Sequence, residues 1–159
     1  MYWRGHAGLG LLAYAPLAAF ALRAGHPDIA LAGGVLTVAF STLPDVDEFL
    51  PIPHRGPTHT LAFTVCLGVL TGGVAALLAP VISASLPAWI PLFMGSVVTA
   101  TLWSHLAGDV ITPMGIRPFR PVSRAHFTLD LTRARNPRAN VLLLSAGVLA
   151  LSAAVVVSV

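Results

Sequence analysis

The sequence contains no lysine and few charged residues of any kind. Charged side chains make up 9% of the 159 residues and hydrophobic ones 56%, whereas an average soluble domain carries about 25% charged residues. So little charge cannot cover a surface in contact with water, which excludes an ordinary soluble protein. The composition therefore indicates that lipid surrounds most of the chain.

A single cysteine, Cys66, excludes a disulfide framework within the chain, and its position in an apolar run favours a packing role. Basic residues interleaved with aromatic ones are also missing, so we expect no nucleic-acid partner. The amino-terminal stretch resembles a signal peptide but has no convincing small-residue cleavage site, and we expect a retained helix there. The oligomeric state is not readable from the sequence.

Five apolar segments approach the length of about 20 residues that a helix needs to cross a bilayer core. They cover residues 7–22, 29–43, 60–79, 88–109 and 140–159. Backbone polar groups in hydrocarbon must be paired internally, which predicts helices rather than strands. The first two segments are short and could form a hairpin that enters the membrane partway. The predicted fold is all-α, a single domain (1–159) folded as a polytopic membrane helix bundle with a polar basic loop at 110–139.

The arginines are divided unevenly between the two predicted membrane faces. With five crossings, Arg23 lies alone on one face and eight arginines share the other. These eight are Arg4, Arg55, Arg117, Arg120, Arg124, Arg133, Arg135 and Arg138. Because cytoplasmic loops carry the basic excess, we expect a cell (inner) membrane protein with its amino terminus cytoplasmic and its carboxyl terminus outside. The loop residues Arg117, Arg120 and Arg124 could also hold lipid headgroups.

Most of the scarce histidines and acids fall on the same predicted face as the arginines. The candidate metal ligands are His6, Asp45, Asp47, His54, His59, His105 and Asp109. His105 and Asp109 are four residues apart on one helix and point the same way, while Asp45 and Asp47 would share a side if that segment is extended. Each residue alone has an ordinary explanation as a cap or an interfacial side chain. Together they predict a metal site, because ionisable groups at membrane depth are costly and usually functional.

The residue types suit divalent metals and hydrolytic chemistry. Zinc binds imidazole nitrogen and carboxylate oxygen, and manganese or iron accept the same ligands. The set exceeds the needs of one tetrahedral ion, so we expect two or more zinc ions. The candidate catalytic residues are Asp45 or Asp47, to orient or deprotonate water, Arg55, and Glu48, which is otherwise a solvated side chain. The Arg55 guanidinium suits a phosphate or carboxylate substrate, or it anchors the chain at the headgroup level.

At these residues the sequence resembles the YdjM-like family, LexA-regulated and inner-membrane-associated proteins regarded as metal-dependent hydrolases. The resemblance rests on LPDVDEF, HRGPTHT and HLAGDVITPMG and covers residues 1 to about 120. That family is regarded as distantly similar to zinc-dependent phospholipase C, an α-helical enzyme with several zinc ions. The similarity implies a set of inherited ligands, namely His6, Asp45, His59, His105 and Asp109, with Asp47 and His54 as further candidates. The soluble phospholipases also use an amino-terminal tryptophan amine and later histidines, whereas here Trp3 is internal and only His126 follows Asp109, so two metals are expected.

The expected function is a membrane-embedded metal-dependent hydrolase, similar to phospholipase C or a phosphodiesterase, that cleaves a phosphoester of a membrane lipid with metal-activated water. A zinc-dependent lipid amidase or intramembrane protease would use the same ligands on a carbonyl carbon, although no His-Glu-x-x-His motif is present. The third possibility is a non-catalytic metal-binding membrane protein or a transporter. Transport would favour ligands near the bilayer midplane, and these ligands cluster at one end.

Overall fold

The computed structural model describes residues 1–83 and 85–158 of the chain. The α-helices are α1 (Trp3–Arg23), α2 (Pro27–Phe40), α3 (Leu61–Ile82), α4 (Ile90–Val110) and α5 (Pro137–Val156). Two 3₁₀ helices lie between α2 and α3, the first at Leu43–Phe49 and the second at Pro57–His59. Within the described residues the fold is all-helical, as predicted, and its β-type pairing is a single bridge between Ile116 and Phe127.

Five segments are long and apolar enough to cross a membrane, in agreement with the predicted number. The first two are longer than the sequence predicted. The helix α1 has 21 residues because it begins at Trp3 rather than Ala7, and α2 together with the first 3₁₀ helix forms a 23-residue candidate span. The sequence left open whether these two segments span the membrane or enter it partway, and by length and composition both are candidate spans.

The remaining helices begin and end within three residues of their predicted bounds, and local capping explains two of the beginnings. The side chain of Thr60 accepts a hydrogen bond from the backbone of Phe63, which starts α3 at Leu61. Asn136 caps α5 in the same way and is followed by Pro137 at the first helical position. The predicted end of the last helix, Val159, lies outside the described residues.

The helix α1 lies at the centre of the bundle, where it packs on α2, α4 and α5, while α3 packs mainly on α4. Glycines allow the closest approaches. A Cβ atom on Gly147 of α5 would overlap the Gly8 carbonyl of α1, and one on Gly95 of α4 would lie 2.7 Å from the Gly68 carbonyl of α3. Such contacts between small residues hold membrane helices together through close packing.

The outward faces of the bundle are apolar rather than charged. Large side chains such as Val69, Leu77 and Leu149 are more than two thirds exposed. A soluble protein rarely exposes so much contiguous apolar surface. The exposed surface of α3 and α5 is therefore suited to contact with lipid, while the polar residues lie at the helix ends and inside the bundle.

We expect Gly147→Ala to destabilise the bundle, because the new methyl group would meet the backbone of α1 at Gly8. Overpacking of this kind typically costs about 1–3 kcal/mol. The measurement is the thermal unfolding midpoint of the protein in detergent. The control is Gly73→Ala, whose Cβ meets nothing within 4 Å and which should leave the midpoint unchanged. Equal midpoints for the two variants would show that α1 and α5 do not depend on this contact.

Candidate metal centre

Four elements bring ionisable side chains together at one end of the bundle. The side chains come from α1 (His6), the first 3₁₀ helix (Asp45 and Asp47), the second 3₁₀ helix (His59) and α4 (His105 and Asp109). All are almost fully buried except Asp45, whose side chain is 25% exposed. Segments that are remote in the sequence thus converge, and one member of the group remains reachable from outside.

One atom from each of four residues encloses a common point. His59 Nε2 lies 3.2 Å from His105 Nε2, and both atoms lie 3.4 Å from Asp45 Oδ1. Asp109 Oδ2 completes the group, 3.2 Å from His59 Nε2 and 3.6 Å from His105 Nε2. Two nitrogens and two carboxylate oxygens in this arrangement are a donor set typical of a four-coordinate divalent ion. These four residues, Asp45, His59, His105 and Asp109, form the cluster.

The separations suit zinc. A tetrahedral ion with ligands at about 2.0–2.1 Å holds neighbouring ligand atoms about 3.3 Å apart, close to the observed distances. Two Nε2 atoms that face each other share at most one hydrogen bond, whereas both can bind a cation. The Oδ2 atom of Asp109 is buried and has no aligned hydrogen-bond partner. A buried His/Asp group with such unpaired atoms fits a metal ion, since an unpaired buried charge is otherwise costly.

His6 lies beside this group and faces the other oxygens of the same two carboxylates. Its Nε2 atom is 3.9 Å from Asp45 Oδ2 and 3.6 Å from Asp109 Oδ1. Its ring stacks on His105 with 3.7 Å between the ring centroids. Both ring nitrogens of His6 are buried without a hydrogen-bond partner. Single ligand atoms from His6, Asp45, His105 and Asp109 all lie within 4.8 Å of one another, so His6 can contribute to a metal site.

The Nδ1 atoms of His59 and His105 are held by acceptors outside the cluster. His105 Nδ1 lies 2.8 Å from the carbonyl oxygen of Ser41. His59 Nδ1 lies 3.2 Å from Asp47 Oδ2 and 3.0 Å from Thr58 Oγ1. An acceptor at one ring nitrogen fixes the tautomer and the ring orientation, so that the other nitrogen is free to bind metal. Both histidines therefore present Nε2 to the cluster.

Asp47 has a different position from the one predicted. Asp45 and Asp47 would share a side only if this segment were extended, and the stretch is a 3₁₀ helix. The two carboxylates instead contact opposite nitrogens of His59. Asp47 also accepts hydrogen bonds from the backbone of Arg55, from Thr58 and from His54 Nδ1. Both oxygens of Asp47 thus already accept hydrogen bonds, as expected for a residue that positions His59 rather than binding metal.

Arg55 contacts Asp109 rather than an open part of the site. The guanidinium donates to Asp109 Oδ1 at 2.8 Å, and to Thr112 and the Gly115 carbonyl at 3.0 Å each. The amino-terminal amine of Met1 also donates to Asp109 Oδ1 at 2.8 Å. Two cationic donors on one oxygen fix this carboxylate and leave Oδ2 directed at the cluster.

His54 and Glu48 lie outside the buried cluster. The side chain of His54 is 34% exposed and that of Glu48 is 58% exposed, and His54 Nε2 is 3.8 Å from Glu48 Oε1. His54 contacts Asp47 through Nδ1 at 2.8 Å, and its ring lies edge-on to His59 with 5.6 Å between the centroids. The structure therefore does not bring either residue to the central donor atoms, and their predicted roles as a ligand and a catalytic residue stay predictions.

The pKa of His59 is raised above its usual value. Burial lowers this pKa, but the carboxylates of Asp109 and Asp45 favour the charged ring more strongly. The direction of the shift reflects the negative potential around Nε2. A divalent cation would supply the same compensation, and it would compete with the proton for that nitrogen.

Ser41, Thr58 and Thr112 are parts of the site that the sequence did not single out. Ser41 acts through its carbonyl group, which every residue has, and the two threonines act through hydroxyl groups that are common in caps and turns. The adjacency of Thr58 to His59 within HRGPTHT is the one available sequence signal.

We expect Asp47→Asn to weaken divalent-metal binding by about 10–100-fold, the usual effect of losing a partner that orients a ligand. The amide keeps the shape of the side chain but lacks the charge that holds His59 Nδ1. Zinc affinity of detergent-purified protein, measured by competition with a chromophoric chelator, checks this. The neighbouring exposed acid provides the control, and Glu48→Gln should retain wild-type affinity. An unchanged affinity in Asp47→Asn would contradict the positioning role.

Comparison with known protein families gives a match over the whole chain. A family described as YdjM inner membrane protein matches residues 1–159, which extends beyond the region of about 120 residues that carries the sequence resemblance. No curated protein and no solved structure matches the chain. Together with the five candidate spans, the family match identifies a multi-pass membrane protein. The chain belongs to the YdjM inner membrane protein family.

Proposed function

We propose that this protein is a membrane-embedded, metal-dependent hydrolase that cleaves a phosphoester of a membrane lipid. The proposal rests on the convergence of His59, His105, Asp45 and Asp109 on one point. Asp109 Oδ2 has no aligned hydrogen-bond partner there, and Asp45 is partly exposed. A purely structural group of buried charges would be expected to pair all its atoms.

The exposed edge of Asp45 supports access by an amphiphilic substrate. Asp45 lines a cavity of about 460 Å³ between the amino terminus and the first 3₁₀ helix, together with Trp3, Val46 and Phe49. Phe49 is 86% exposed and Trp3 62% exposed. Aromatic side chains are favoured at the membrane interface. A lipid could therefore rest its acyl region on this rim and place its polar headgroup at Asp45.

Each residue of the site would have a separate role in phosphoester hydrolysis. When bound, a divalent metal activates water and neutralises charge that develops on a phosphoryl group. Asp45, the exposed carboxylate, would orient the attacking water and accept its proton. Water adds to phosphorus, the bond from phosphorus to the glycerol oxygen breaks, and that oxygen takes up a proton. Arg55 holds Asp109 in place, and a direct role of Arg55 towards the phosphoryl group stays a prediction.

We expect the site to bind two divalent metal ions, with zinc as the first choice. The two oxygens of Asp45 face different histidines, Oδ1 towards His59 and His105 and Oδ2 towards His6. These four residues, together with Oδ2 of Asp109, would hold two ions between them. The donor set alone does not select zinc over manganese or iron.

We expect reconstituted protein with added zinc to release a phosphorylated headgroup and diacylglycerol from phospholipid vesicles. Phosphorus NMR and mass spectrometry measure the two products. Asp45→Asn should lower the rate by about 100-fold or more, because it removes a carboxylate that would both bind metal and accept the proton. His126 is exposed and lies outside the cluster, so His126→Gln serves as the control and should retain full activity. Equal rates in wild type and Asp45→Asn would overturn the proposal, and release of fatty acid or peptide would favour the amidase or protease alternative.

We also propose that the cluster lies at the cytoplasmic end of the bundle, on the basis of the arginine distribution. In a Cys66→Ser background, Ala24→Cys and Ala125→Cys place single exposed thiols at opposite predicted faces. A membrane-impermeant maleimide added to intact cells with a permeabilised outer envelope should label only Ala24→Cys. Labelling of only Ala125→Cys would reverse the orientation.

A further inference from the structure

A second cavity lies where α3 begins, next to the polar loop. Its volume is about 560 Å³, and it is lined by Pro57, Thr60, Ala62, Arg120, Pro121 and Arg124. It differs from the cavity at Asp45 in its residues and its charge. No step of the proposed hydrolysis uses it.

Backbone hydrogen bonds fix the loop against the start of the helix. The amide of Leu61, the first residue of α3, donates to the Pro118 carbonyl at 2.9 Å. Within the loop, the amide of Ser123 donates to the Phe119 carbonyl at 3.0 Å. The rings of Phe119 and Phe127 also pack edge to face, with centroids 5.6 Å apart. The segment that carries the two arginines is thus held on both sides of the cavity.

The two arginines that line this cavity have no acidic partner among the described residues. Among residues 1–83 and 85–158, Arg55 is the arginine that forms an ion pair with a carboxylate. Within the same ranges neither Arg120 nor Arg124 has a carboxylate within 4.0 Å, and no acidic residue lines their cavity. Two arginines that line one cavity without such a partner attract an anion.

Apart from the arginines, the residues that line the cavity are mainly apolar, which limits the kind of molecule that can bind there. Three of the six lining residues, Pro57, Ala62 and Pro121, are apolar. Thr60 directly precedes α3, a candidate span, so the cavity lies at the level where this helix enters the membrane. Phosphate groups of lipids occupy this level, with the glycerol and acyl region below them. A ligand that combines a phosphate with an apolar body therefore matches both parts of the lining.

We propose that Arg120 and Arg124 form a binding site for the phosphate group of an anionic phospholipid, separate from the metal centre. Guanidinium groups bind phosphate oxygens through charge-assisted, often bidentate, hydrogen bonds. The site is distinct from the cluster because His59, between Pro57 and Thr60 in the sequence, directs its ring to His105 and is fully buried. A water-soluble phosphate ester carries the same chemistry and is the other possible source of the group. The proposal does not depend on hydrolysis.

Native mass spectrometry of the detergent-solubilised protein tests lipid binding with phosphatidylglycerol, and with diacylglycerol as the matched lipid that lacks phosphate. We expect retention of phosphatidylglycerol and not of diacylglycerol, and a loss of at least about tenfold in affinity for Arg120→Gln/Arg124→Gln. The control is Arg133→Gln/Arg135→Gln, which removes the same charge from a cavity that also contains Asp130. Circular dichroism confirms that both double variants are helical.

Calorimetric titration with inorganic phosphate and glycerol 3-phosphate, in lipid-free detergent, shows whether the bound phosphate group belongs to a lipid or to a soluble compound. Binding of phosphatidylglycerol that depends on the pair Arg120 and Arg124 supports a lipid site. Binding of the soluble phosphates alone, with the same dependence, supports the phosphate site and assigns it to a soluble ligand. The proposal is overturned if no phosphate compound binds, or if the two double variants lose binding equally.

Discussion

The hydrogen bonds at the Nδ1 atoms of His59 and His105 are the interactions on which the site depends. Thr58 Oγ1 accepts from one ring and itself donates to Asp47, which lies 3.2 Å from the same ring nitrogen, and the carbonyl of Ser41 holds the other ring. As a result both Nε2 atoms face the same point. Without these acceptors the rings would be free to rotate or to change tautomer. With these acceptors in place, the cluster can act as a set of ligands rather than as a group of unrelated polar residues. Asp47 already accepts hydrogen bonds from Arg55, Thr58 and His54. Although it is an acid within LPDVDEF, it is therefore better suited to positioning His59 than to binding metal.

The helix bundle imposes the second constraint, since the ligands come from elements that must meet within a few ångströms. Close packing of α1 on α5 through Gly8 and Gly147 fixes the helix that carries His6. Gly108 of α4 lies against His6, where a Cβ atom would be 3.2 Å from Nδ1. A larger residue there would displace the His6 ring from His105. Small residues thus serve both the stability of the bundle and the geometry of the site, and the apolar environment makes any unpaired charge costly.

The helices and most of the central residues could be predicted from the sequence, because apolar length and the scarcity of charge are strong signals in a membrane protein. Helical spacing places His105 and Asp109 on one helix face, which depends only on local geometry, and their position on the same predicted membrane face as the other ionisable residues makes them site candidates. The conformation of LPDVDEF was not predictable. A seven-residue 3₁₀ helix has no distinctive sequence pattern, and the same residues are compatible with an extended segment. The partners of Arg55 were also missed, because its contact with Asp109 joins residues 54 positions apart and depends on how the helices pack. The placement of Asp47 behind the His59 ring, at Nδ1 rather than at Nε2, likewise depends on contacts between separate elements.

The central claim is that the buried histidines and aspartates bind a divalent metal jointly. Elemental analysis of protein purified without chelators, combined with X-ray absorption at the edge of the metal found, tests it most directly. We expect at least one equivalent of zinc or another divalent metal per chain, coordinated by nitrogen and oxygen only, with zinc ligand distances of about 2.0–2.2 Å. Protein that contains no stoichiometric metal and takes up none from solution, or a metal with sulfur in its coordination shell, would contradict the claim.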